Sequence, residues 1–160
     1  MSVDINVIGS HKIRSIPGGE QVELKTFWQD QDAVVIFFRR WGCMLCRLWA
    51  KELSEIAPVL KKNNIKLIGI GVENAGSKEF LEGKFFDGLG GDYKGDWVQT
   101  GGALLVEKGG NVIRHFVQTG PGDHLNNKDI LKHFNLEAEY KEETMANKVR
   151  DNIECNTEAK

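Results

Sequence analysis

The sequence predicts an α/β fold with a central mixed β-sheet flanked by helices. Two observations carry this. Over residues 33–72 an apolar strand, a helix with one apolar stripe and a second apolar strand follow one another. That is the order of a right-handed βαβ unit with parallel strands. Farther on, two strands at 103–107 and 112–117 flank Lys108-Gly109-Gly110-Asn111. Such a turn joins antiparallel neighbours, because Gly and Asn accept the positive φ it needs. Parallel and antiparallel pairs in one chain make the sheet mixed.

Each element has its own signal. Residues 1–32 read as a lead-in, with Val22, Leu24 and Phe27-Trp28 as apolar anchors after a Pro17-Gly18-Gly19 turn. The run Ala33-Val34-Val35-Ile36-Phe37-Phe38 has the composition of a central strand buried on both faces. Arg39-Arg40-Trp41-Gly42 ends it. A helix is expected from Cys43 to about Asn63, where Leu48, Trp49, Leu53, Ile56 and Leu60 form one stripe and Pro58 is expected to kink or shorten it. Asn63-Asn64 is a turn, and 65–72 (IKLIGIGV) a second buried strand. A short helix over 77–82 that Ser77 can cap, a glycine-rich stretch from Gly83 to Gly95, and a helix over 127–134 capped by Asn126 complete the core. Residues 1–136 are thus expected to form one domain, and 137–160, charged with few anchors, a loosely packed or disordered tail.

Composition excludes several function classes. The 160 residues are room for one domain. A formal net charge of −2 leaves no concentrated basic excess for nucleic acid. The longest apolar run falls far short of the ~20 residues of a membrane helix, and MSVDINVIGSHK lacks the pattern of a signal peptide. Three cysteines are too few for a disulfide scaffold. The expectation is a soluble intracellular protein in a reducing compartment, where paired cysteines do redox or metal chemistry.

The chemical signal is Trp41-Gly42-Cys43-Met44-Leu45-Cys46-Arg47: a CxxC directly after a buried strand, opening a helix. Cysteines three apart share one helix face and can close a disulfide. The helix N-terminus offers unpaired N–H groups and partial positive charge, and Arg39, Arg40 and Arg47 add full charges nearby. Together these favour thiolate over thiol. Cys43, at the helix start, is expected to be the more acidic and accessible thiol and the nucleophile. Cys46, one turn in, is the resolving thiol that closes a disulfide on the oxidised Cys43. Arg39 and Arg40 are candidates to hold a peroxide or carboxylate oxygen. Zinc is the competing use of such a pair, but it wants four ligands; Cys155 lies in the tail and the histidines show no ligand spacing, so no metal is expected. His115 reads as a strand histidine and His124, in Pro121-Gly122-Asp123-His124, as a loop residue. Gly69-x-Gly71 follows a strand, but its third glycine falls at Gly76 and no acidic partner is placed, so a dinucleotide turn is not expected.

Through VVIFFRRWGCMLCRLWAKELSEI (34–56), IKLIGIGVEN (65–74), GKFF (83–86) and DWVQTGGALLVEKGGNVIRHFVQTGPGD (96–123), the chain resembles the prostamide/prostaglandin F synthase family, a peroxiredoxin-like group with a thioredoxin-like fold. The resemblance covers roughly residues 1–88 and 92–136. It implies a cytosolic reductase with NADPH as donor, acting on the endoperoxide of prostaglandin H or prostamide H to give F-type products, with Cys43 and Cys46 as the redox pair. General peroxide reduction fed by thioredoxin or glutathione is the neighbouring activity. In thioredoxin-type folds the loop entering the hairpin faces the CxxC. Here that loop is Gln99-Thr100-Gly101-Gly102, without the usual proline, so Thr100 and Gly101 are expected at the substrate, with the Gly101 N–H free to bind it. Two departures stand out. The Pro and Thr that true peroxiredoxins place ahead of the reactive cysteine are absent, and the chain is shorter than the family near 88–92. These keep open a non-enzymatic redox switch or interaction module.

Overall fold

The computed structural model describes residues 3–16, 18–72 and 98–137. Helix α1 (Ile5–Gly9) starts at Asp4, whose carboxylate accepts from the Asn6 and Val7 N–H groups. Strands β1 (Lys12–Arg14) and β2 (Gln21–Glu23) pair antiparallel, and a 3₁₀ turn (Leu24–Phe27) leads into β3 (Asp32–Phe37). Helix α2 (Met44–Lys62) and β4 (Ile65–Ile70) follow. Then come β5 (Gly102–Glu107), β6 (Asn111–Val117) and α3 (Asn127–His133). The main sheet has the order β4-β3-β5-β6, with β3 parallel to β4 and antiparallel to β5. The expected mixed sheet and helical flanks are both present.

The position of β3 follows from its sequence. Ala33 through Ile36 are at most 1% exposed, because β3 takes hydrogen bonds from both sides and side chains from both faces. Val34, Ile36 and Phe38 face α2 through Trp49, Leu53, Ile56 and Leu60, while Ala33 and Val35 pack on Leu24, Trp28 and the amino-terminal elements. The period of two along β3 separates these two cores. The β5–β6 turn places Gly109 and Gly110 at φ 88° and 104°, as its composition predicts.

Four expectations change. The lead-in is structured, with a capped helix and a hairpin covering the second face of the sheet. Strand β4 is the edge strand of the described sheet, and only Ile65 in it is buried, since β3 rather than β4 lies between two neighbours. Helix α2 is not shortened at Pro58 but runs to Lys62, with Ile56 and Leu60 fully buried on either side of the proline and the Asn63 N–H closing the last turn on Val59 and Leu60 carbonyls. Leu48 is only half-buried, at the margin of the stripe. Pro17, the helix at 77–82, the glycine-rich stretch, the shortening near 88–92, Cys155 and the tail from 138 onward lie outside the described residues.

Helix α3 matters to the site because it anchors the loop before it. The Asn126 side chain accepts from the Asp129 N–H at 2.8 Å and donates to the Asp129 carboxylate at 2.8 Å. We expect Asn126→Ala to lower unfolding free energy by about 1 kcal/mol in urea titration.

Candidate active site

The end of β3 delivers the chain to the start of α2. After Phe38, whose N–H still bonds Ile70 on β4 at 2.8 Å, the backbone turns through Arg39 to Gly42. Cys43 is the N-cap of α2, in an extended conformation (φ −77°, ψ 120°), and Cys46 lies one turn in. Both are free thiols. Cys43 is 8% exposed and Cys46 2%. The expected ranking of accessibility therefore holds, but Cys43 is less open than expected, because Phe38, Trp41 and Trp49 close around the turn. Phe38 lies 5.6 Å from both Trp rings, centroid to centroid.

The two sulfurs are unequal. The Cys46 S–H donates to the Cys43 sulfur, and the N–H groups of Cys46 and Leu45, at the open end of α2, also point at it. Against the cost of burial, these bonds and then the Arg39 charge lower the Cys43 thiol to about 5. Cys46 moves the other way: giving its proton to that bond, together with burial, raises its pKa, although the N–H groups of Arg40 and Arg39 act against the rise. At neutral pH the pair is a thiolate at Cys43 and a thiol at Cys46. The sequence pointed to the helix N–H groups and the arginines together; in the structure the partner thiol comes first, then the helix backbone, with the Arg39 charge last.

Arg39 and Arg40 are buried, at 7% and 4% exposure. Arg39 ties two segments together: its Nε donates to the Gln99 carbonyl at 2.7 Å, and its Nη1 lies 3.9 Å from Cys43 Sγ. Arg40 meets the pair through its backbone, its carbonyl accepting from the Cys43 N–H at 3.4 Å. Arg47 Nε donates to the Trp41 carbonyl at 3.1 Å.

The loop before β5 is where it was expected relative to β3, but not in the expected role. The Gly101 N–H is taken by Gln118 Oε1 at 2.9 Å, and the Gly101 carbonyl accepts from the Gln118 N–H at 3.0 Å. The Gly101 N–H is thus not left for a substrate. Glycine is required at 101 for closeness: a Cβ would collide with the Phe37 carbonyl and lie 2.5 Å from Gln118 Oε1. Thr100 is exposed. Gln118, 2% exposed, is a residue the sequence did not single out.

His124, read from the sequence as a loop residue, lies against α2. Its ring stacks on Trp49, 4.8 Å between centroids and 5° from parallel, and it is half-buried. The loop is held there by Trp49 Nε1, which donates to the Leu125 carbonyl at 3.1 Å. Burial lowers the His124 pKa, while the Pro121 carbonyl and the charges of Cys43 and Asp123 act to raise it. His115, by contrast, is exposed on β6.

A Cβ on Gly69 would lie 2.9 Å from the Phe38 ring, and one on Gly71 would strike Trp41, so both glycines make room for aromatic packing and not for phosphates. Among the described residues no three His, Cys, Asp or Glu side chains gather in a way that could hold a metal ion, and no helix is long and apolar enough to cross a membrane.

A free cysteine pair at the first turn of a helix, set after the central strand of a mixed sheet, is an arrangement suited to thiol redox chemistry on a thioredoxin-like fold. Solved structures bear out the fold. The chain superposes on Xanthomonas campestris peroxiredoxin Q with TM-score 0.56 at 12% identity, covering 87% of this chain and 98% of that one. It also superposes on the thioredoxin domain of a Bacteroides vulgatus thiol-disulfide oxidoreductase with TM-score 0.52 at 16% identity, covering 84% and 97%. In sequence it is 32% identical over 182 residues to a prostamide/prostaglandin F synthase of Xenopus tropicalis, covering 86% of this chain and 90% of that one. It is 33% identical over 181 residues to one of Salmo salar, covering 85% and 90%. No family model matches the chain. The chain belongs to the prostamide/prostaglandin F synthase family and is a peroxiredoxin-like oxidoreductase. These alignments are longer than the 160 residues here, so the relatives carry positions this chain lacks.

Replacing Arg39 tests the order of causes at Cys43. Arg39→Gln is expected to raise the pH midpoint of Cys43 alkylation by iodoacetamide by no more than about one pH unit, since a charge is the smallest contributor named. A larger rise would place Arg39 first.

Proposed function

We propose that this protein is a thiol-dependent reductase of lipid peroxides, with an endoperoxide such as prostaglandin H or prostamide H as substrate and F-type diols as products. The observation that carries the reading is the free thiol pair at the start of α2, Cys43 at the cap and Cys46 one turn in, with the Arg39 guanidinium 3.9 Å from the Cys43 sulfur. The Cys43 thiolate attacks one oxygen of the O–O bond. The bond breaks, one oxygen leaves with the electron pair and takes a proton, and the other stays on sulfur. Cys46 then attacks that sulfur, forms the disulfide and releases the second oxygen as a hydroxyl. Two thiols lose two electrons and the O–O bond gains them.

The lipid part of the reading rests on the names of the relatives; an apolar cavity of about 280 Å³ lined by Phe37, Phe38, Ile70, Thr100, Gly101 and Val117 lies near the end of β3, and neither cysteine lines it. The disulfide needs a thiol reductant. Thioredoxin or glutathione fills that role in the cytosol, where both are kept reduced, with NADPH upstream of the carrier. No step is assigned to NADPH at the described residues.

The test is turnover of a lipid endoperoxide coupled to NADPH through thioredoxin and its reductase. Cys43→Ser is expected to fall below about one-thousandth of the wild-type rate. Cys46→Ser is expected to consume no more than one equivalent per chain before stalling. Unchanged steady turnover in both variants would contradict the assignment, and a wild type that stops after one oxidation would make the pair a switch.

A further inference from the structure

We propose that His124 is the acid–base group of the thiol pair: it takes the proton from Cys46 as the disulfide closes and passes it to the departing oxygen. The inference rests on the redox reading of Cys43 and Cys46. The need for such a group is built into the site. Cys46 is buried at 2% exposure and holds its proton in the bond to Cys43, yet it can attack only as a thiolate. Once Cys43 carries an oxygen, the charge that accepted this bond is gone, and the proton needs another acceptor.

His124 meets that need. Cys46 and Trp49 are one turn apart on the buried face of α2, so they are neighbours. The imidazole lies flat on Trp49, one turn along α2 from Cys46, and near enough to the cysteine turn to feel the Cys43 and Arg39 charges. Its loop also touches this turn at Leu45, 3.9 Å from where a Cβ on Gly122 would stand. One ring nitrogen is held by the Pro121 carbonyl. The other, Nε2, is buried and has no hydrogen-bond partner among the described residues. A carbonyl accepts only from an N–H, so the partnered nitrogen is Nδ1 and the free lone pair belongs to Nε2. Nε2 is therefore set as a proton acceptor beside Trp49. The charged groups around it are Asp123 in its own loop and Cys43 and Arg39 at the cysteine turn. The Asp123 carboxylate is occupied by the Thr119 N–H and hydroxyl, both at 2.9 Å.

The step balances. A Cys46 sulfur lone pair forms the S–S bond, the S–O bond of Cys43 breaks with its electrons leaving on oxygen, and the Cys46 proton travels by Nε2 to that oxygen. His124 is regenerated neutral.

The experiment uses the full chain and diamide, a thiol-specific oxidant, so it does not depend on peroxide activity. Diamide adds to Cys43, and Cys46 then displaces it; rapid acid quench and mass spectrometry separate the two steps. His124→Phe keeps a ring on Trp49, His124→Gln keeps polarity, and circular dichroism reports folding of each. Both variants are expected to form the adduct at close to the wild-type rate but to close the disulfide about 100-fold more slowly at pH 7. Their closing rate should climb about tenfold per pH unit between 6 and 9 as hydroxide takes over, while the wild type levels off. Closure at the wild-type rate, or slowed by one factor at every pH, would overturn the assignment and leave the redox pair intact. A wild type that forms no disulfide would overturn the redox pair itself, and the role of His124 with it.

Discussion

Everything at this site depends on one hydrogen bond, from the Cys46 thiol to the Cys43 sulfur across the first turn of α2. It makes two chemically identical side chains different. The sulfur at the cap position also receives the N–H groups that open a helix, so negative charge settles there. The sulfur one turn deeper is enclosed by packing and keeps its proton. The pairing needs the CxxC spacing and a helix that begins at residue 44, with Cys43 outside it and Cys46 inside. A helix starting one turn later would remove both the backbone donors and the facing thiol.

The rest of the fold fixes that starting point. Strand β3 is the most buried element because both faces and both edges are covered, and it carries Arg39 to a place between the Gln99 carbonyl and Cys43. Close backbone approach is built in at Gly101, which Gln118 clasps from β6's end, and aromatic closeness at Gly69 and Gly71, which leave room for Phe38 and Trp41. Trp49 then links the helix to the loop before α3 by a hydrogen bond and a stacked imidazole. A thiolate in so apolar a setting is costly by itself; its local donors offset that cost.

Features with a local physical cause were legible in the sequence. The apolar run of β3, the stripe of α2, the glycine turn between β5 and β6 and the Asn126 cap each depend on residues within a few positions. The CxxC was legible for the same reason. Features that arise from chain segments far apart were not. His124 is 78 positions beyond Cys46 and reads as an ordinary loop residue until its ring is seen stacked on Trp49. Gln118 occupies the Gly101 N–H across a strand pair, which no pattern around Gly101 announces. The amino-terminal helix and hairpin are short and lack periodicity; only their packing against Ala33 and Val35 reveals why they form.

The most direct measurement is the ultraviolet thiolate absorbance near 240 nm as a function of pH for the wild type and for Cys46→Ala, with folding checked by circular dichroism. In the wild type one thiolate should appear with a midpoint near 5. In Cys46→Ala that midpoint should move up toward the ordinary thiol value of about 8.5, because the principal donor to Cys43 is gone. An unchanged midpoint in the variant, or a wild type with no thiolate below about pH 8, would contradict the account.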